Sequence, residues 1–311
     1  MAFWLKHNLL QYKNDPFVSI ECTFILFDQV KGTTSIYRQS QTIPRQEYLD
    51  LLGKQFKNWD EIQFTFPNGS FFKIGSSCLQ GQIIEGQNSE DQKKIQWDFN
   101  LELSGETYYH LTQKGLYTSF FPKKKLLTKD IHVEFKGSIK TSNAFSLEVV
   151  PSSSFIGMNG HNWGKEHAYK YAYANCNQFQ EDPHAYFDGF SAKIFLIKGL
   201  LKSPYLSGAS LKTNGTWFHF NALSRSFFHE VIQLSEKKWE VIFKAPPYTL
   251  HLLIDGNTAL WTELSYHHPD RKISIVKNTK FAQAKLVLKR DRELISSLNS
   301  RYFELETLTG G

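Results

Sequence analysis

The sequence predicts an all-β protein built from two consecutive antiparallel β domains. Short segments with alternating apolar and polar residues recur along the chain, and turn-forming pairs such as Asn-Gly, Pro-Pro and Asp-Gly separate them. Segments with helical spacing are few. Alternation with period two is what a sheet with one buried face requires. Short strands at this density are typical of a sandwich or a barrel.

The predicted strands are distributed over both halves of the chain. In the first half they cover residues 17–27, 61–66, 71–74, 95–103 and 131–135. In the second half they cover residues 192–197, 217–220, 239–243 and 250–254. The turn signal Pro67-Asn68-Gly69 separates two of the first group, as expected for a hairpin.

Two segments have the spacing of a short helix. Residues 45–59 place apolar side chains mostly three or four positions apart, between Tyr48 and Trp59, and they follow Pro44 directly. Proline is tolerated in the first turn of an amphipathic helix. A weaker pattern of the same kind covers residues 291–300.

The length of 311 residues has room for two mid-sized domains, and 15% of the residues are aromatic, which is enough for a sizeable core. We expect an N-terminal domain over residues 1–150 and a C-terminal domain over residues 151–311. The serine run at residues 152–154 is the expected seam between them.

The net charge of +6 and the pI of about 9.0 favour anionic partners. The densest basic run is Lys123-Lys124-Lys125, which is predicted to be a solvated loop. Because no arginine-rich segment or RNA-binding signature accompanies it, nucleic acid is not an expected partner. Weak peripheral association with an anionic membrane through these lysines is the alternative interpretation. The sequence does not indicate an oligomeric state.

The remaining composition favours a cytoplasmic protein. No run of about 18 apolar residues could form a membrane-spanning helix, and the N-terminal residues do not have the pattern of a secretory signal. The three cysteines are too scattered for a disulfide framework or a CxxC metal site. Signatures of serine hydrolases, phosphate-binding loops and zinc proteases are not found in the sequence.

One stretch, residues 157–179, stands apart from the rest. Its glycines allow an unusual backbone around His161-Asn162-Trp163, which we expect to form a corner. From Tyr169 onward the pattern is that of a strand whose one face is small and apolar. The other face carries Tyr169, Tyr171, Tyr173, Asn175, Asn177 and Phe179. Such a face is suited to line a ligand cavity that offers both apolar area and hydrogen bonds.

Several motifs in this region carry a family resemblance. They are Gly160-His161-Asn162-Trp163-Gly164, Glu166-His167-Ala168, the run Tyr171-Ala172-Tyr173-Ala174, and Asn175-Cys176-Asn177. Together with Phe187-Asp188-Gly189 downstream, they resemble the tocopherol-cyclase-like, carotenoid-1,2-hydratase-like and AttH-like proteins of a lipocalin-like superfamily. The resemblance covers about residues 90–290. It implies two lipocalin-like antiparallel barrel or half-barrel domains with a ligand cavity.

The resemblance also implies a chemistry. Characterised relatives act on long isoprenoids without a cofactor: they protonate a carbon–carbon double bond, and water or an internal phenol then traps the cation. Such a step needs an acid in a dry pocket, and burial raises the pKa of a carboxyl group into a useful range. Glu166 is the first candidate for this acid and Asp188 the second, although Asp188-Gly189 is also typical of a turn. His161 is a candidate proton relay.

The candidate ligand-binding residues are Asn162, Trp163, His167, Tyr169, Tyr171, Tyr173, Asn175, Asn177 and Trp261. A metal site is not expected, because His161 and His167 have no third convergent ligand. The expected partner is a hydrophobic, isoprenoid-like small molecule. Two alternatives stay open: a carrier that binds an apolar molecule without chemistry, and an accessory protein whose cavity is filled by side chains.

Overall fold

The computed structural model describes residues 1–12, 14–55, 61–86, 91–119, 124–143, 146–164, 168–197, 201–269 and 271–309. These residues are mostly antiparallel β-strand, which confirms the all-β prediction. The α-helix α1 (Arg45–Gln55) lies within the predicted helical segment 45–59, and residues 56–59 of that segment lie outside the described part. Two short 3-10 helices cover Lys114–Tyr117 and Leu223–Arg225. No described helix has the length and apolar character needed to cross a membrane.

In chain order the described strands are β1 (Ala2–Gln11), β2 (Phe17–Asp28), β3 (Thr33–Pro44), β4 (Glu61–Thr65), β5 (Phe71–Gly75), β6 (Cys78–Glu85), β7 (Lys93–Leu103), β8 (Tyr108–Tyr109), β9 (Lys124–Asn143), β10 (Ser146–Gly164), β11 (Lys170–Cys176), β12 (Tyr186–Lys193), β13 (Phe195–Ile197), β14 (Leu201–Lys202), β15 (Leu206–Thr213), β16 (Thr216–His219), β17 (Glu230–Leu234), β18 (Lys238–Ala245), β19 (Tyr248–Asp255), β20 (Trp261–His267), β21 (Ile273–Arg290) and β22 (Glu293–Leu308).

The chain divides into two compact units that interleave along the sequence. The first unit comprises residues 1–104, 133–156 and 267–272. The second unit comprises residues 105–132, 157–266 and 273–311. Residues 105–132 therefore belong with the second unit, although they precede the first unit's last strands. The predicted division into domains at residues 150 and 151 stays a prediction.

The first unit is built from the three-stranded sheet β1-β2-β3 and from strands of a second antiparallel sheet ordered β10-β9-β7-β6-β5-β4. Apolar residues at alternate positions of β2, β7 and β9 fill its core. Phe3, which is partly buried, packs against this core, with ring centroids 5.5 Å from Phe24 and 5.1 Å from Phe99. This packing explains the period-two pattern of those segments.

The second unit is built on a ten-stranded antiparallel sheet. Its main order is β16-β15-β12-β11-β22-β21-β19-β18-β17, and β20 pairs with β21. One face of the sheet is apolar, and its buried residues include Trp239, Phe243, Phe187 and Phe303. Small residues of β11, Ala172 and Ala174, lie on the same face. The predicted small face of this strand is therefore packed in the core.

The opposite face of the same strands is polar, and the register places its residues in rows. One row runs Ser210, Asp188, Asn175, Glu304 across β15, β12, β11 and β22. A second row runs Tyr173, Glu306, Asn278 across β11, β22 and β21. Because directly paired residues have Cβ atoms about 5 Å apart, the register alone makes these side chains neighbours.

Several sequence predictions are wrong in detail. Residues 291–300 form no helix: Asp291, with φ +53°, begins a tight turn, and Glu293 starts the sixteen-residue strand β22. Pairing with β21 along nearly its whole length outweighs the local apolar spacing. The predicted strand 192–197 is interrupted at Ile194 between β12 and β13. The serine run 152–154 lies within β10, and its role as the seam between two domains stays a prediction.

The predicted solvated lysine loop is also wrong where it is described. Lys124 and Lys125 begin β9, and Lys125 is buried. Lys124 is half-buried, with its Nζ 5.7 Å from the ring centroid of Tyr171. The face of an aromatic ring attracts a lysine ammonium group at this distance.

Close packing at Gly189 gives a test of the second unit. Gly189 pairs with Ala174 on β11 and with Ala209 on β15. A Cβ at this position would lie 2.8 Å from the ring of Phe187 and 3.0 Å from the Cβ of Ala209. Gly189→Ala is expected to lower the free energy of unfolding by about 1–3 kcal/mol through overpacking, as measured by urea denaturation.

The matched control is Gly115→Ala, because a Cβ at Gly115 would meet nothing within 4 Å. Wild-type stability in the Gly189→Ala variant would show that β11, β12 and β15 are not packed this closely.

Candidate functional site

The centre of the polar face is Asp188. It lies in the middle of β12 and is 0% exposed, so the interpretation of Asp188-Gly189 as a turn is wrong. Phe187 packs in the apolar core on the other side of the sheet, and alternation along the strand therefore turns Asp188 onto the polar face.

Three hydroxyl groups surround one oxygen of this carboxyl group. The Oδ2 atom of Asp188 lies 2.7 Å from the hydroxyl of Tyr186, 3.1 Å from that of Tyr173 and 3.3 Å from that of Thr128. The Nε2 atom of His110 is 3.5 Å from the same oxygen. The other oxygen, Oδ1, is buried and has no hydrogen-bond partner among the described residues.

The electrostatics keep this carboxyl group neutral. Burial raises the pKa of Asp188 to about 8, the charge of Glu304 adds to the rise, and the hydrogen bonds from the three hydroxyls oppose it. Burial also lowers the pKa of His110 to about 3. His110 is therefore neutral near pH 7, and its contact with Asp188 is not an ion pair. The site contains a protonated acid at neutral pH.

Residues 105–132 of the second unit supply part of this site. Tyr108 packs its ring 4.6 Å from that of His110 and 5.5 Å from that of Trp217. The Nδ2 atom of Asn221 donates to the Tyr108 hydroxyl at 3.3 Å and to the carbonyl oxygen of His110 at 3.1 Å. Tyr108 and His110 are thus held by both ring packing and hydrogen bonds.

A second buried carboxylate, Glu304, lies two strands away from Asp188. It accepts hydrogen bonds from Asn175 at 2.8 Å and from Asn278 at 3.2 Å, and Lys280 lies 2.6 Å away as an ion pair. Burial by itself would raise the pKa of Glu304, but the charge of Lys280 and these hydrogen bonds outweigh it and hold the pKa below its usual range. Glu304 is therefore anionic, whereas Asp188 is not.

The second row contains a third carboxyl group, that of Glu306. The hydroxyls of Tyr171 and Tyr266 donate to its two oxygens at 2.5 Å and 2.6 Å. Burial, followed by the charge of Glu306, raises the pKa of both tyrosines well above the usual value. Both phenols therefore stay protonated and act as donors. Asn175 also approaches the hydroxyl of Tyr173 at 3.5 Å, so the two rows are in contact.

The structure brings four of the sequence-predicted residues together on this face: Asp188, Tyr171, Tyr173 and Asn175. A ligand role for these residues stays a prediction. The enclosed apolar chamber expected at the tyrosine face also stays a prediction. The described contacts there are hydrogen bonds between buried polar groups, and these satisfy groups that would otherwise be costly to bury.

His161, Asn162 and Trp163 do not form the expected corner. They belong to the last residues of the long strand β10, which ends at Gly164. The rings of His161 and Trp163 stack at 5.1 Å, and that of Trp163 is 5.8 Å from Tyr117. Trp163 is 36% exposed. No described contact joins these side chains to Asp188.

The other predicted residues are distributed over the second unit. Asn177 donates to the carbonyl oxygens of Ile131 and Gly157 at 3.1 Å and 2.5 Å and thereby fixes backbone. Tyr169 packs against Phe195. Trp261 begins β20 and donates to the carbonyl oxygen of Gly256 at 2.7 Å. It also packs against the apolar core of the second unit. Glu166 and His167 lie outside the described residues.

Sequence reasoning missed Tyr186, His110, Thr128, Glu304 and Glu306. Tyr186 could have been found, because it is two residues before Asp188 and strand periodicity places both on one face. Glu304 and Glu306 alternate with apolar residues, which is the pattern of a solvent-facing side of a strand. Only the tertiary structure shows that this side is buried.

Comparison with known proteins gives a fold relationship. No protein-family model and no curated protein matches the chain. A crystal structure of a Nitrosomonas europaea protein assigned to the AttH type matches with a TM-score of 0.51 and 12% identity, over 97% of this chain and 86% of that one. The structure of CghA with Sch210972 matches with a TM-score of 0.48 and 10% identity, over 99% and 88%. The chain therefore has the all-β, lipocalin-like fold of the AttH-type structure.

Proposed function

We propose that this protein is a cofactor-free enzyme that uses Asp188 as the proton donor for hydration or cyclisation of a carbon–carbon double bond. The substrate would be a hydrophobic, isoprenoid-like small molecule, as the resemblance of the 160–177 region implies. The observation that carries the proposal is a neutral, fully buried carboxyl group with one oxygen that has no described partner. An acid whose pKa lies near the working pH is what general acid catalysis needs.

The proton is assigned to Oδ1 of Asp188. Oδ2 is surrounded by hydroxyl groups that can donate to it, and Oδ1 is the oxygen left for the O–H bond. In the reaction the Oδ1–H bond breaks and a C–H bond forms on the alkene, which leaves a carbocation and the Asp188 carboxylate. Water, or a hydroxyl of the substrate, then adds to the cation and loses a proton. That proton returns to the carboxylate, so the acid is restored.

The surroundings of Asp188 suit both charges that form in this step. The three hydroxyl groups at Oδ2 stabilise the carboxylate through charge-assisted hydrogen bonds. Aromatic rings of Tyr108, Tyr173 and Tyr186 lie close by and can stabilise a cation through their faces. Tyr173 is half-buried, so it is the member of the group nearest to accessible surface.

Glu304 has a supporting role in this proposal. Its negative charge disfavours a second buried charge at Asp188 and so keeps the donor protonated. Lys280 forms an ion pair with Glu304 and so lowers the free-energy cost of burying the Glu304 carboxylate.

The alternative is a carrier that binds an apolar molecule at the same site without chemistry. The identity of the acid also needs a test. Glu166 is the first candidate from the sequence, and it lies outside the described residues. Both points can be resolved with isosteric variants.

The first test is transfer of solvent hydrogen to an alkene. Purified protein is incubated in D₂O with acyclic isoprenoid alkenes of graded chain length, and products are analysed by mass spectrometry. The wild type is expected to give products that carry carbon-bound deuterium. Asp188→Asn, which keeps the shape but has no acidic proton, is expected to lower the rate by about 10²–10⁴-fold.

Asp291→Asn is the matched control, because Asp291 is exposed and asparagine tolerates its positive φ. If Glu166→Gln abolishes turnover and Asp188→Asn does not, the acid is Glu166. If the wild type binds these alkenes and no variant or condition gives turnover, the protein is a carrier.

The second test is the pH dependence of stability. The native pKa of Asp188, about 8, lies above the unfolded value of about 4. Its protonation therefore contributes stability that is fully present below about pH 4 and is lost as the pH rises through about 8. Asp188→Asn imitates the protonated form at every pH. Relative to the wild type, this variant is expected to gain stability between about pH 5 and pH 9, as measured by urea denaturation.

A constant difference between the two proteins across this range would mean that Asp188 is already ionised in the folded state at neutral pH. The proposed donor would then be wrong.

A further inference from the structure

The β13–β14 hairpin of the second unit presents apolar side chains to solvent. Phe195 is 41% exposed and Leu201 is 51% exposed. Within the described residues, the two strands pair with each other alone and form a separate two-stranded sheet. In the sequence, residues 193–202 read Lys-Ile-Phe-Leu-Ile-Lys-Gly-Leu-Leu-Lys, which contains three lysines and no acidic residue.

Lysine ammonium groups lie over tyrosine rings where the hairpin joins the rest of the unit. The Nζ atom of Lys193 lies 4.4 Å from the ring centroid of Tyr205, and that of Lys202 lies 4.8 Å from the ring centroid of Tyr169. The ring of Tyr169 also contacts that of Phe195 at 4.8 Å. In the described part of the chain, neither lysine forms an ion pair with a carboxylate.

The base of the hairpin is fixed by Ser203. Its backbone N–H donates to the carbonyl oxygen of Ile194 at 2.8 Å, and its hydroxyl accepts from the N–H of Ile194 at 2.9 Å. Ser203 itself is buried. Hydrogen bonds therefore fix the backbone at the base of the hairpin that bears the exposed apolar residues. Little backbone conformational entropy is lost when these residues contact a partner.

We propose that this hairpin surface, defined by Lys193, Phe195, Leu201 and Lys202, docks onto an anionic lipid bilayer. Phe195, which pairs with Lys202, and Leu201, the neighbour of Lys202 along β14, insert from the two sides of this two-stranded hairpin into the boundary between headgroups and acyl chains, where apolar side chains leave water. Tyr169, whose ring contacts that of Phe195, and Tyr205, whose ring lies under the Lys193 ammonium group, suit the headgroup level, where amphipathic rings are enriched. The charges of Lys193 and Lys202, which form no ion pair with a carboxylate in the described part of the chain, face the anionic headgroups and gain Coulomb energy there.

A lipid surface fits this chemistry better than a protein partner. The cores of protein interfaces are depleted of lysine, whereas lysine beside exposed apolar residues is typical of membrane-surface segments. The surface also differs from the lysine run at residues 123–125 from which membrane association was expected, since Lys125 is buried.

The test is co-sedimentation of the full chain with lipid vesicles. One set contains phosphatidylcholine alone, and the other contains phosphatidylcholine with phosphatidylglycerol. The wild type is expected to bind the anionic set more tightly. Lys193→Gln with Lys202→Gln is expected to weaken that binding by about 25-fold, which corresponds to about 1 kcal/mol for each lysine. Phe195→Ser with Leu201→Ser is expected to weaken binding to both sets.

The matched control is Phe227→Ser with Phe228→Ser, which removes two other exposed phenylalanines, 53% and 69% exposed, from the same unit. Urea denaturation of each variant verifies that it is folded. Equal loss of binding in the control, or no preference of the wild type for anionic vesicles, would overturn the proposal. Concentration-dependent dimers that disappear with Phe195→Ser and Leu201→Ser would assign the surface to a second copy of this chain.

This proposal and the proposed enzyme activity fail separately. The vesicles contain no isoprenoid, and Asp188→Asn is expected to bind them as the wild type does.

Discussion

The structure of the polar face depends on the burial of carboxyl groups that differ in their partners: Glu304 is paired with a cation, and Asp188 is not. Glu304 is paired with Lys280, and it keeps its charge in the interior. Among the described residues, the groups in polar contact with Asp188 are hydroxyls and a neutral histidine, and it stays protonated instead. An unpaired buried charge costs several kcal/mol, whereas a neutral carboxyl group in hydrogen-bond contact costs far less. The unequal pairing of two similar groups thus creates an acid beside an anion.

The sheet alone holds these groups in position. Register alone aligns Ser210, Asp188, Asn175 and Glu304 across four strands. The opposite face of β11 and β12 carries alanine, glycine and phenylalanine in the core of the second unit, which leaves the two strands no freedom to rotate their polar sides outward. Residues 105–132 then supply the histidine, the threonine and a tyrosine ring. The acid is consequently held by elements that are distant in sequence.

The sequence predicted the local structure correctly where a residue pattern is compatible with one kind of secondary structure. Period-two alternation identified strands such as β2, β7, β18 and β19, and it separated the Tyr173 face of β11 from the alanine face. It failed at residues 291–300, where a helix was predicted. The local spacing of apolar residues does not show that this segment pairs along its length with the long strand β21. It also could not find Glu304 or His110. A glutamate that alternates with apolar residues looks solvent-exposed, and burial of Asp188 depends on a chain segment about 80 residues earlier in the sequence.

The chemistry proposed for this site requires that Asp188 is a neutral acid in the folded protein at neutral pH. Infrared difference spectroscopy of the wild type against Asp188→Asn tests it directly, because only a protonated carboxyl group has an isolated C=O stretching band. We expect this band to be present at neutral pH and to disappear with a midpoint at about pH 8. A carboxylate signal at neutral pH, with a midpoint near the ordinary value of about 4, would contradict it.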